Sequence, residues 1–523
     1  MNTRTLVGAF IMIDNGSHSM WVSVVLGGLV LLLLLLLMVW WPRRNNNSKG
    51  KGDLEYPPHP EPCHFLWGKG DIFQGLTQGI HLDPVMLRNA KLLGPVVNYK
   101  LPIIGNMICV ADPDLIKYIT VTKNYDKSWT YKDNFPLLGN RSIVLVHGEE
   151  WKSHRKTFTP GFTTTFLRDM VSVMCDKLDR FTACIDQDVA MAQPTHMMDR
   201  AQTFTSDVIV QLAFGEDWGG DQPHAARAYI SELIDTLVML DKNMVRKYLD
   251  LAARRRVKEL ETKLDQTLLQ VLDRRVQQWQ EEQRDTTSQG NKNYSNVCTL
   301  AIDSMLKERP DRVLTQEDRT VILHQLKTFY FAGHDTTATT IAWAVWLLSQ
   351  HPQQLEKLRA ELDNKNIFGT PDQRPTYAQL QECDYLDAVV KETLRLYPPA
   401  GSARYVADPN ESWNGIKLGG AILYVNCYVT HRLPQYWERP DDYWPERFVG
   451  VPSEEYVHKF IPFLRGPRDC LGKYFALLEA KLGVAALAQR YDMTCMNPDE
   501  IVGYRLTAYP RDGARVQMAM RTT

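Results

Sequence analysis

Cys470 lies in a segment whose residue types suit a cysteine that works as an anion. Residues 463–472 spell FLRGPRDCLG, and an apolar run that predicts a helix begins at Tyr474. A cysteine binds a metal only as the thiolate, and its free pKa of about 8.5 means that it needs help to ionise. The positive end of that helix would stabilise the anion, and Gly466 and Gly472 allow a tight turn against a flat cofactor. The segment therefore predicts a metal-ligating thiolate; the alternative is an inert buried cysteine ahead of a helix.

Asp335 and Thr336 are a second candidate for chemistry, a carboxylate beside a hydroxyl in the run AGHDTT at 332–337. The run interrupts an apolar stretch that opens with a capping-box pattern and predicts one helix over 315–349, roughly 50 Å long. Gly333 costs about 1 kcal/mol there against alanine, and helical threonines can bond back to carbonyls and bend the axis. A carboxylate and a hydroxyl in this arrangement can relay protons. The alternative is a kinked core helix with a satisfied threonine.

Glu392 and Arg395 present opposite charges on one face of a helix that Pro398 ends. An exposed pair of this kind contributes about 0.5 kcal/mol or less. The spacing is common on ordinary helices, so by itself it indicates only a surface ion pair. Its meaning depends on the other motifs.

On these residues the chain resembles the cytochrome P450 family. The pattern F-x-x-G-x-R-x-C-x-G is met at every fixed position of 463–472. The resemblance covers roughly 56–523 and implies a mainly α fold with small β-sheets, built as one large catalytic domain. Its motifs follow the family's order, at 151–155, 332–337, 392–395, 445–448 and 463–472.

The resemblance implies that the cofactor is haem b, iron protoporphyrin IX, with Cys470 as the axial ligand of the iron. Asp335 and Thr336 would then deliver protons for dioxygen chemistry. Arg468 carries a planar guanidinium suited to pairing with a haem propionate. The residues implied to bind the cofactor are Cys470, Arg468, Trp151, Arg155, Arg404, Phe463, Gly466, Gly472, Ala332 and Gly333.

The resemblance also implies that Arg447 joins Glu392 and Arg395 in a partly buried network that braces the cysteine loop. Ala332 stands where the fatty-acid ω-hydroxylase branch of the family often has a glutamate that esterifies the haem, so covalent attachment by that route is not expected. Arg465, on the implied proximal face, is a candidate docking residue for an acidic redox partner. The alternative for Arg465 is a solvated surface charge.

Composition favours a large core and excludes a strongly basic nucleic-acid binder. Lysine plus arginine number 60 against 61 aspartate plus glutamate, so no strong positive field attracts nucleic acid. The nine cysteines form no C-x-x-C pair in a chain too long to need disulfides, which suits a reducing compartment. Outside the motifs, the pattern predicts strands at 96–100 and 107–110, an amphipathic helix at 251–282 and a polar loop at 285–295.

Residues 20–41 are almost entirely apolar, and at about 1.5 Å per residue they cover a bilayer core of roughly 30 Å. Tryptophans at the ends and basic residues after them predict a retained single-pass anchor with the following domain in the cytosol. We expect the endoplasmic reticulum membrane; another organellar membrane and a cleaved signal peptide are the alternatives. The predicted organisation is an N-terminal segment at 1–19, the anchor at 20–41, a polar and proline-rich hinge at 42–62 and the catalytic domain at 63–523.

The sequence as a whole predicts a membrane-bound haem-thiolate monooxygenase. It would take electrons from NADPH-cytochrome P450 reductase or another donor and insert one atom of O2 into a lipophilic substrate, namely a fatty acid, sterol, terpenoid or carotenoid. The alternatives are a reductase-independent isomerase or dehydratase of the same fold, and a non-catalytic membrane haem protein. The segments expected to contact substrate are 129–138, the helix near Phe329 and Ala332, 400–403 and 506–509.

Overall fold

A computed structural model describes most of the chain beyond the predicted anchor. The anchor at 20–41 and the loop at 285–295 lie outside the described residues, so the predictions for them stand as predictions. Within the described residues, no helix is both long and apolar enough to cross a membrane. The described ranges are 54–60, 81–101, 104–131, 136–218, 225–241, 249–284, 296–307, 309–369 and 373–522.

Helices account for most of the described residues. Those of the first half are α1 (Asp83–Leu93), α2 (Pro113–Lys117), α3 (Gly148–Phe158), α4 (Thr164–Ala190), α5 (Met197–Phe214), α6 (Ala225–Asp241) and α7 (Leu251–Arg284). Those of the second half are α8 (Val297–Leu306), α9 (Gln316–Gln350), α10 (Pro352–Asn364), α11 (Tyr377–Gln381), α12 (Asp384–Leu396), α13 (Cys427–Thr430), α14 (Ser453–Tyr456) and α15 (Lys473–Arg490).

The strands are short and form small sheets. Among the described residues the sheet orders are β1-β2-β7-β4, β3-β11-β8, β9-β10 and β5-β6. In the first sheet β2 and β7 are parallel and the other pairs are antiparallel. The strands are β1 (Val96–Leu101), β2 (Gly105–Val110), β3 (Thr195–His196), β4 (Ser402–Tyr405), β5 (Ser412–Trp413), β6 (Ile416–Lys417), β7 (Ile422–Val425), β8 (Tyr491–Cys495), β9 (Val502–Tyr504), β10 (Ala508–Pro510) and β11 (Arg515–Met520).

Helix α9 is the central element, and its start is fixed by a capping box. Thr315 Oγ1 accepts from Asp318 N at 3.1 Å, and the Asp318 carboxylate accepts from Thr315 N at 2.8 Å, so two otherwise unpaired N–H groups are satisfied. Most side chains from Val321 to Leu348 are buried, because α5, α12 and α15 pack around the helix. Such a helix is apolar on nearly all sides, which is why its polar run stands out in the sequence.

The predicted fold class is confirmed as a mainly helical chain with small sheets. The strands predicted at 96–100 and 107–110 are β1 and β2, which pair with Val96 opposite Val110. The helices predicted at 251–282 and 315–349 are α7 and α9, each within two residues at its ends. A large apolar core surrounds α9, and a smaller one lies against the β1-β2-β7-β4 sheet.

Candidate functional site

The loop that carries Cys470 is held by main-chain hydrogen bonds and by one glycine. Cys470 N donates to Phe463 O at 3.0 Å, and Asp469 N donates to Gly466 O at 3.1 Å. Gly466 has a φ of +82°, and a Cβ there would lie 2.1 Å from the carbonyl oxygen of Thr120. The turn and the neighbouring backbone therefore both exclude a side chain at 466.

Gly472 differs from Gly466. It has a φ of −88°, which any residue adopts, and a Cβ there would meet only the Phe162 ring, at 3.8 Å. That distance is an ordinary van der Waals contact. The expectation that both glycines serve a tight turn is therefore met at Gly466 and not at Gly472.

Cys470 lies at the N-terminus of α15, just before the cap residue Gly472, and its side chain is accessible. The surrounding protein nevertheless desolvates the thiol and raises its pKa, while a hydrogen bond from Gly472 and the charges of Arg155 and Lys473 lower it. Desolvation is the largest effect, so the expectation that the helix and the cations suffice to ionise the thiol was wrong in its balance. A coordinated metal ion deprotonates a thiol outright, so ionisation would accompany metal binding.

Three cations converge near this loop with few anionic partners. Arg404 Nη1 donates to Tyr125 O at 3.1 Å, while its Nε and Nη2 are buried without a partner among the described residues. Arg468 Nη2 donates to Val146 O at 2.9 Å, and its Nη1 is likewise unpartnered. Burial lowers the pKa of Arg404 to about 10 and also lowers that of Arg468. Unpaired buried donors of this kind indicate a site for an anionic group.

The third cation is Lys127, which sequence reasoning missed. Its Nζ donates to Ser402 Oγ at 2.7 Å. Desolvation, followed by the charges of Arg404 and Arg468, lowers its pKa well below the usual lysine value. No motif marks Lys127; the signal is its place in the structure, where it pairs by an isolated β-bridge with Arg404 on β4.

Trp151 and Arg155 both lie on α3, but they do different things. The Arg468 guanidinium lies over the Trp151 ring, 4.8 Å from its centroid, which fits a cation–π contact. Arg155 instead binds the cysteine loop, since Nη2 donates to Asp469 Oδ1 at 2.7 Å and Nη1 to Asp469 O at 3.0 Å. In this structure Arg155 holds the loop from outside and is already paired.

Helix α9 borders open space at one point of its buried length. Ala332 is exposed and Gly333 and Thr336 are half-buried, whereas the flanking residues are buried. Thr336 Oγ1 donates to Ala332 O at 2.8 Å, the back-bond that the sequence predicts. A Cβ at Gly333 would lie 2.6 Å from Ile209 of α5, so this glycine is needed for close helix packing. The helix is α-helical throughout Gln316–Gln350.

The carboxylate of Asp335 is held by two donors from other elements. Asp335 Oδ1 accepts from Gln202 Nε2 of α5 at 2.9 Å. Its Oδ2 accepts from Thr507 Oγ1, in the turn between β9 and β10. The structure thus places Asp335 and Thr336 next to each other on α9, with the carboxylate bound to partners that the sequence did not predict.

The structure brings Glu392, Arg395 and Arg447 together. Arg395 donates to Glu392 through Nε at 2.7 Å and Nη2 at 2.9 Å, and both side chains are fully buried. Arg447 Nε donates to Glu392 Oε1 at 3.1 Å, and Trp444 N donates to the same oxygen at 2.8 Å. The exposed-pair alternative is therefore wrong for Glu392 and Arg395.

A histidine links this network to the cysteine loop. Arg395 Nη1 donates to His431 O at 2.9 Å, and Ile461 N donates to His431 Nε2 at 2.9 Å. Ile461 lies two residues before Phe463, whose carbonyl holds Cys470. Desolvation, with Arg395 and Arg432 adding to it, lowers the pKa of His431 to about 3, so the ring is a neutral acceptor.

The residues present fit a flat cofactor with two carboxylates and one metal ion. The described residues hold no group of three or more His, Cys, Asp or Glu side chains that could bind a metal by themselves. An accessible thiol beside unpaired buried guanidinium nitrogens matches an iron porphyrin with its propionates. Arg465 lies on the same loop, half-buried, with Nη1 2.9 Å from His458 Nδ1.

These features define a haem-thiolate site. The cytochrome P450 family model matches residues 57–503, and the chain belongs to that family. It is therefore a monooxygenase that binds haem b through a cysteine thiolate.

Curated relatives agree with this assignment at modest identity. The chain is 26% identical to cytochrome P450 4A24 of Sus scrofa over 84% of its own length and 86% of the relative's. It is 28% identical to cytochrome P450 4V2 of Homo sapiens, over 77% and 78%. It is 25% identical to the cytokinin hydroxylase of Arabidopsis thaliana, over 74% of each chain.

Proposed function

We propose that this monooxygenase inserts one oxygen atom of O2 into a C–H or C=C bond of a lipophilic substrate, with electrons from NADPH-cytochrome P450 reductase or another donor. The observation that carries the proposal is the pairing of the Cys470 loop with a proton-relay pair on the central helix. A cofactor site alone would suit a non-catalytic haem protein. The hydroxyl and carboxylate at 335–336 are what dioxygen reduction needs in addition.

In this proposal Cys470 is the iron ligand and the nearby cations pair the propionates. Arg404 and Arg468 have unpartnered nitrogens for that purpose, and Lys127 adds a third positive charge. Trp151 keeps Arg468 in place from one side. Bound haem supplies the activation of O2, and the thiolate ligand favours cleavage of the O–O bond.

Thr336 is proposed to pass protons toward the cofactor space. Its Oγ1 donates to Ala332 O, which leaves the lone pairs of the hydroxyl free to accept a proton while its own proton moves on. Asp335 is proposed to supply that proton. Intact residues at both positions argue against the isomerase or dehydratase alternative, which has no use for protons in O–O cleavage.

A lipophilic substrate is supported by the apolar residues of the expected contact segments. Trp129 is 43% exposed, a large apolar surface that a bound ligand would cover. Phe329 packs edge-on against Phe158 and Phe162, with ring centroids 5.5 and 5.6 Å apart. Part of the first segment, 132–135, lies outside the described residues. We propose a fatty acid, sterol, terpenoid or carotenoid as the class of substrate.

The proposed setting is the endoplasmic reticulum membrane, with the anchor at 20–41 in the bilayer and the catalytic domain at 63–523 in the cytosol. The polar and proline-rich hinge at 42–62 would orient that domain toward membrane lipid. Arg465 would face an acidic surface of the reductase, where long-range attraction speeds encounter.

Reconstitution tests the proposal. The full chain in lipid vesicles is supplied with a matched reductase and with lauric acid, cholesterol, geraniol and β-carotene as probes, one from each class. We expect an oxygenated product from at least one probe that requires NADPH, reductase and O2. Conversion of a hydroperoxide without NADPH would favour the isomerase or dehydratase, and spectral binding without any turnover would favour the non-catalytic protein.

A further inference from the structure

Asp335 and Thr336 are adjacent in sequence but lie about 100° apart around α9, because the helix has about 3.6 residues per turn. Thr336 is bonded to Ala332, the exposed residue of the helix. Asp335 is buried and bonded to Gln202 and Thr507. The carboxylate is therefore held on one side of the helix while the hydroxyl lies on another.

A polar cavity of about 280 Å³ lies beside the Asp335 carboxylate. Gln202 lines it together with Asp199 and Arg505, and the exposed side chains of Asp199 and Arg511 put its rim at the protein surface. A polar space of this size holds several water molecules. Asp335 therefore joins solvent on one side of α9 to Thr336 on the other.

The two donors on Asp335 come from elements that pack on α9 from different directions. Gln202 belongs to α5, and Thr507 to the β9–β10 turn, which is anchored by Ala508 N donating to Pro399 O at 2.8 Å. Each donor holds one carboxylate oxygen, so together they fix the rotamer of Asp335 at the cavity. The other charged groups around Asp335 are His334 on the same helix, Arg227 on α6 and Arg505 and Arg511 on the turn, with His196, Asp199 and Asp512 at the rim.

We propose that Gln202 and Thr507 are positioning residues that hold Asp335 at this cavity, and that the cavity is where protons enter the reaction. The inference rests on the proposed role of Asp335 and Thr336. A water proton binds the Asp335 carboxylate and makes it a carboxyl group, which loses its hold on one donor. The carboxyl then gives the proton to Thr336 Oγ1 as the hydroxyl passes its own proton to the oxygen under reduction, and the carboxylate returns to its donors. The electrons come from NADPH through the reductase.

The test uses variants that remove one donor each in the full-length haem protein. Thr507→Val keeps the shape and loses the hydroxyl, Thr507→Ser keeps the hydroxyl, and Gln202→Leu removes the amide. Thr262→Val is the matched control, because Thr262 bonds only to Lys258 O of its own helix. NADPH oxidation with reductase and O2, without added substrate, is measured in H2O and in D2O.

We expect Thr507→Val and Gln202→Leu to slow NADPH oxidation about tenfold and to raise its solvent isotope effect, since a misplaced acid transfers protons poorly. Thr507→Ser and Thr262→Val should match the wild type, and the reduced carbon monoxide spectrum should be unchanged in all four. As a readout independent of turnover, the infrared carboxylate band assigned with Asp335→Asn should shift in both donor variants.

The inference is overturned if Asp335→Asn slows oxidation and raises the isotope effect while Thr507→Val and Gln202→Leu leave both at the wild-type values. If Asp335→Asn itself has no effect, the proposed role of Asp335 fails, and this inference fails with it. Since the two donors lie on different elements, loss of haem from one variant leaves the other to decide.

Discussion

At the scale of single residues, the cysteine loop depends on one position more than its motif suggests. The pattern fixes two glycines, but only Gly466 combines a left-handed backbone with a backbone contact that a Cβ could not make. The sequence reveals which positions are glycine and not which of them carry strain, because that depends on Thr120, far away in the chain.

Gly466→Ala should therefore release haem, whereas Gly450→Ala should not. Both positions have positive φ, at +82° and +69°, but Gly450 has open space where a Cβ would go. The left-handed backbone costs alanine about 1 to 2 kcal/mol at either site, and only at 466 is a collision added. Haem absorbance per protein after purification measures the difference, and equal haem content in the two variants would contradict it.

Lys127 shows what the sequence could not supply at the cofactor site. Arg468 and Trp151 are found from their motifs, but a lone lysine in a variable-looking segment carries no signal. Its role follows only from the fold, which gathers it with Arg404 and Arg468 and leaves three cations with little anionic charge among them.

Lys127→Met should weaken haem binding and stabilise the haem-free chain. Removing the cation costs an attraction to the propionates, about tenfold or more in affinity, but it also removes repulsion from Arg404 and Arg468. Haem transfer to apomyoglobin measures the first effect, and thermal unfolding of the haem-free chain measures the second. Lys473→Met, a matched change near the same loop, should leave the haem-free unfolding midpoint unchanged; a drop in stability for Lys127→Met would contradict the account.

At the scale of elements, α12 is tied to the cysteine loop through a buried ionic network. The sequence predicted the partners Glu392, Arg395 and Arg447 by resemblance, and the structure places them together at hydrogen-bond distance. It could not predict the link through His431, because the histidine and Ile461 meet only when α13 and the loop pack together.

Glu392→Gln should lose haem before it loses secondary structure. It leaves Arg395 buried without its counter-charge, which costs about 3 to 5 kcal/mol. The control is Glu232→Gln, which breaks an exposed pair with Arg256 and should leave the unfolding midpoint unchanged. Haem absorbance and circular dichroism during a urea titration measure the two effects, and coincident wild-type curves for Glu392→Gln would refute the bracing role.

The buried His431 should make the protein sensitive to acid. Its folded pKa of about 3 lies below the ordinary value near 6.5, so between these values the unfolded chain binds the extra proton. Stability from this group is full above pH 6.5 and falls as the pH drops toward 3, by at most about 1.4 kcal/mol per pH unit. His431→Gln should have a shallower pH dependence of the unfolding free energy, and an unchanged slope would rule out His431 as the cause.

At the scale of the whole molecule, sequence motifs separated by more than 300 residues converge on one site. The fold class and the central helix were predictable, because the hydrophobic pattern and the capping box are local signals. The partners of Asp335 were not, because Gln202 and Thr507 come from elements 133 and 172 residues away along the chain. The same distance in sequence hides the contact of Gly333 with Ile209.

The central claim is that Cys470 is the thiolate ligand of the haem iron, and the most direct test is the carbon monoxide difference spectrum of the dithionite-reduced protein. Wild type and Cys470→Ser are compared, with Cys495→Ser as a control for a cysteine elsewhere in the domain. The account predicts a strongly red-shifted Soret band in the wild type and in Cys495→Ser, and its loss in Cys470→Ser. A histidine-like band in the wild type, or a red-shifted band that survives in Cys470→Ser, would contradict it.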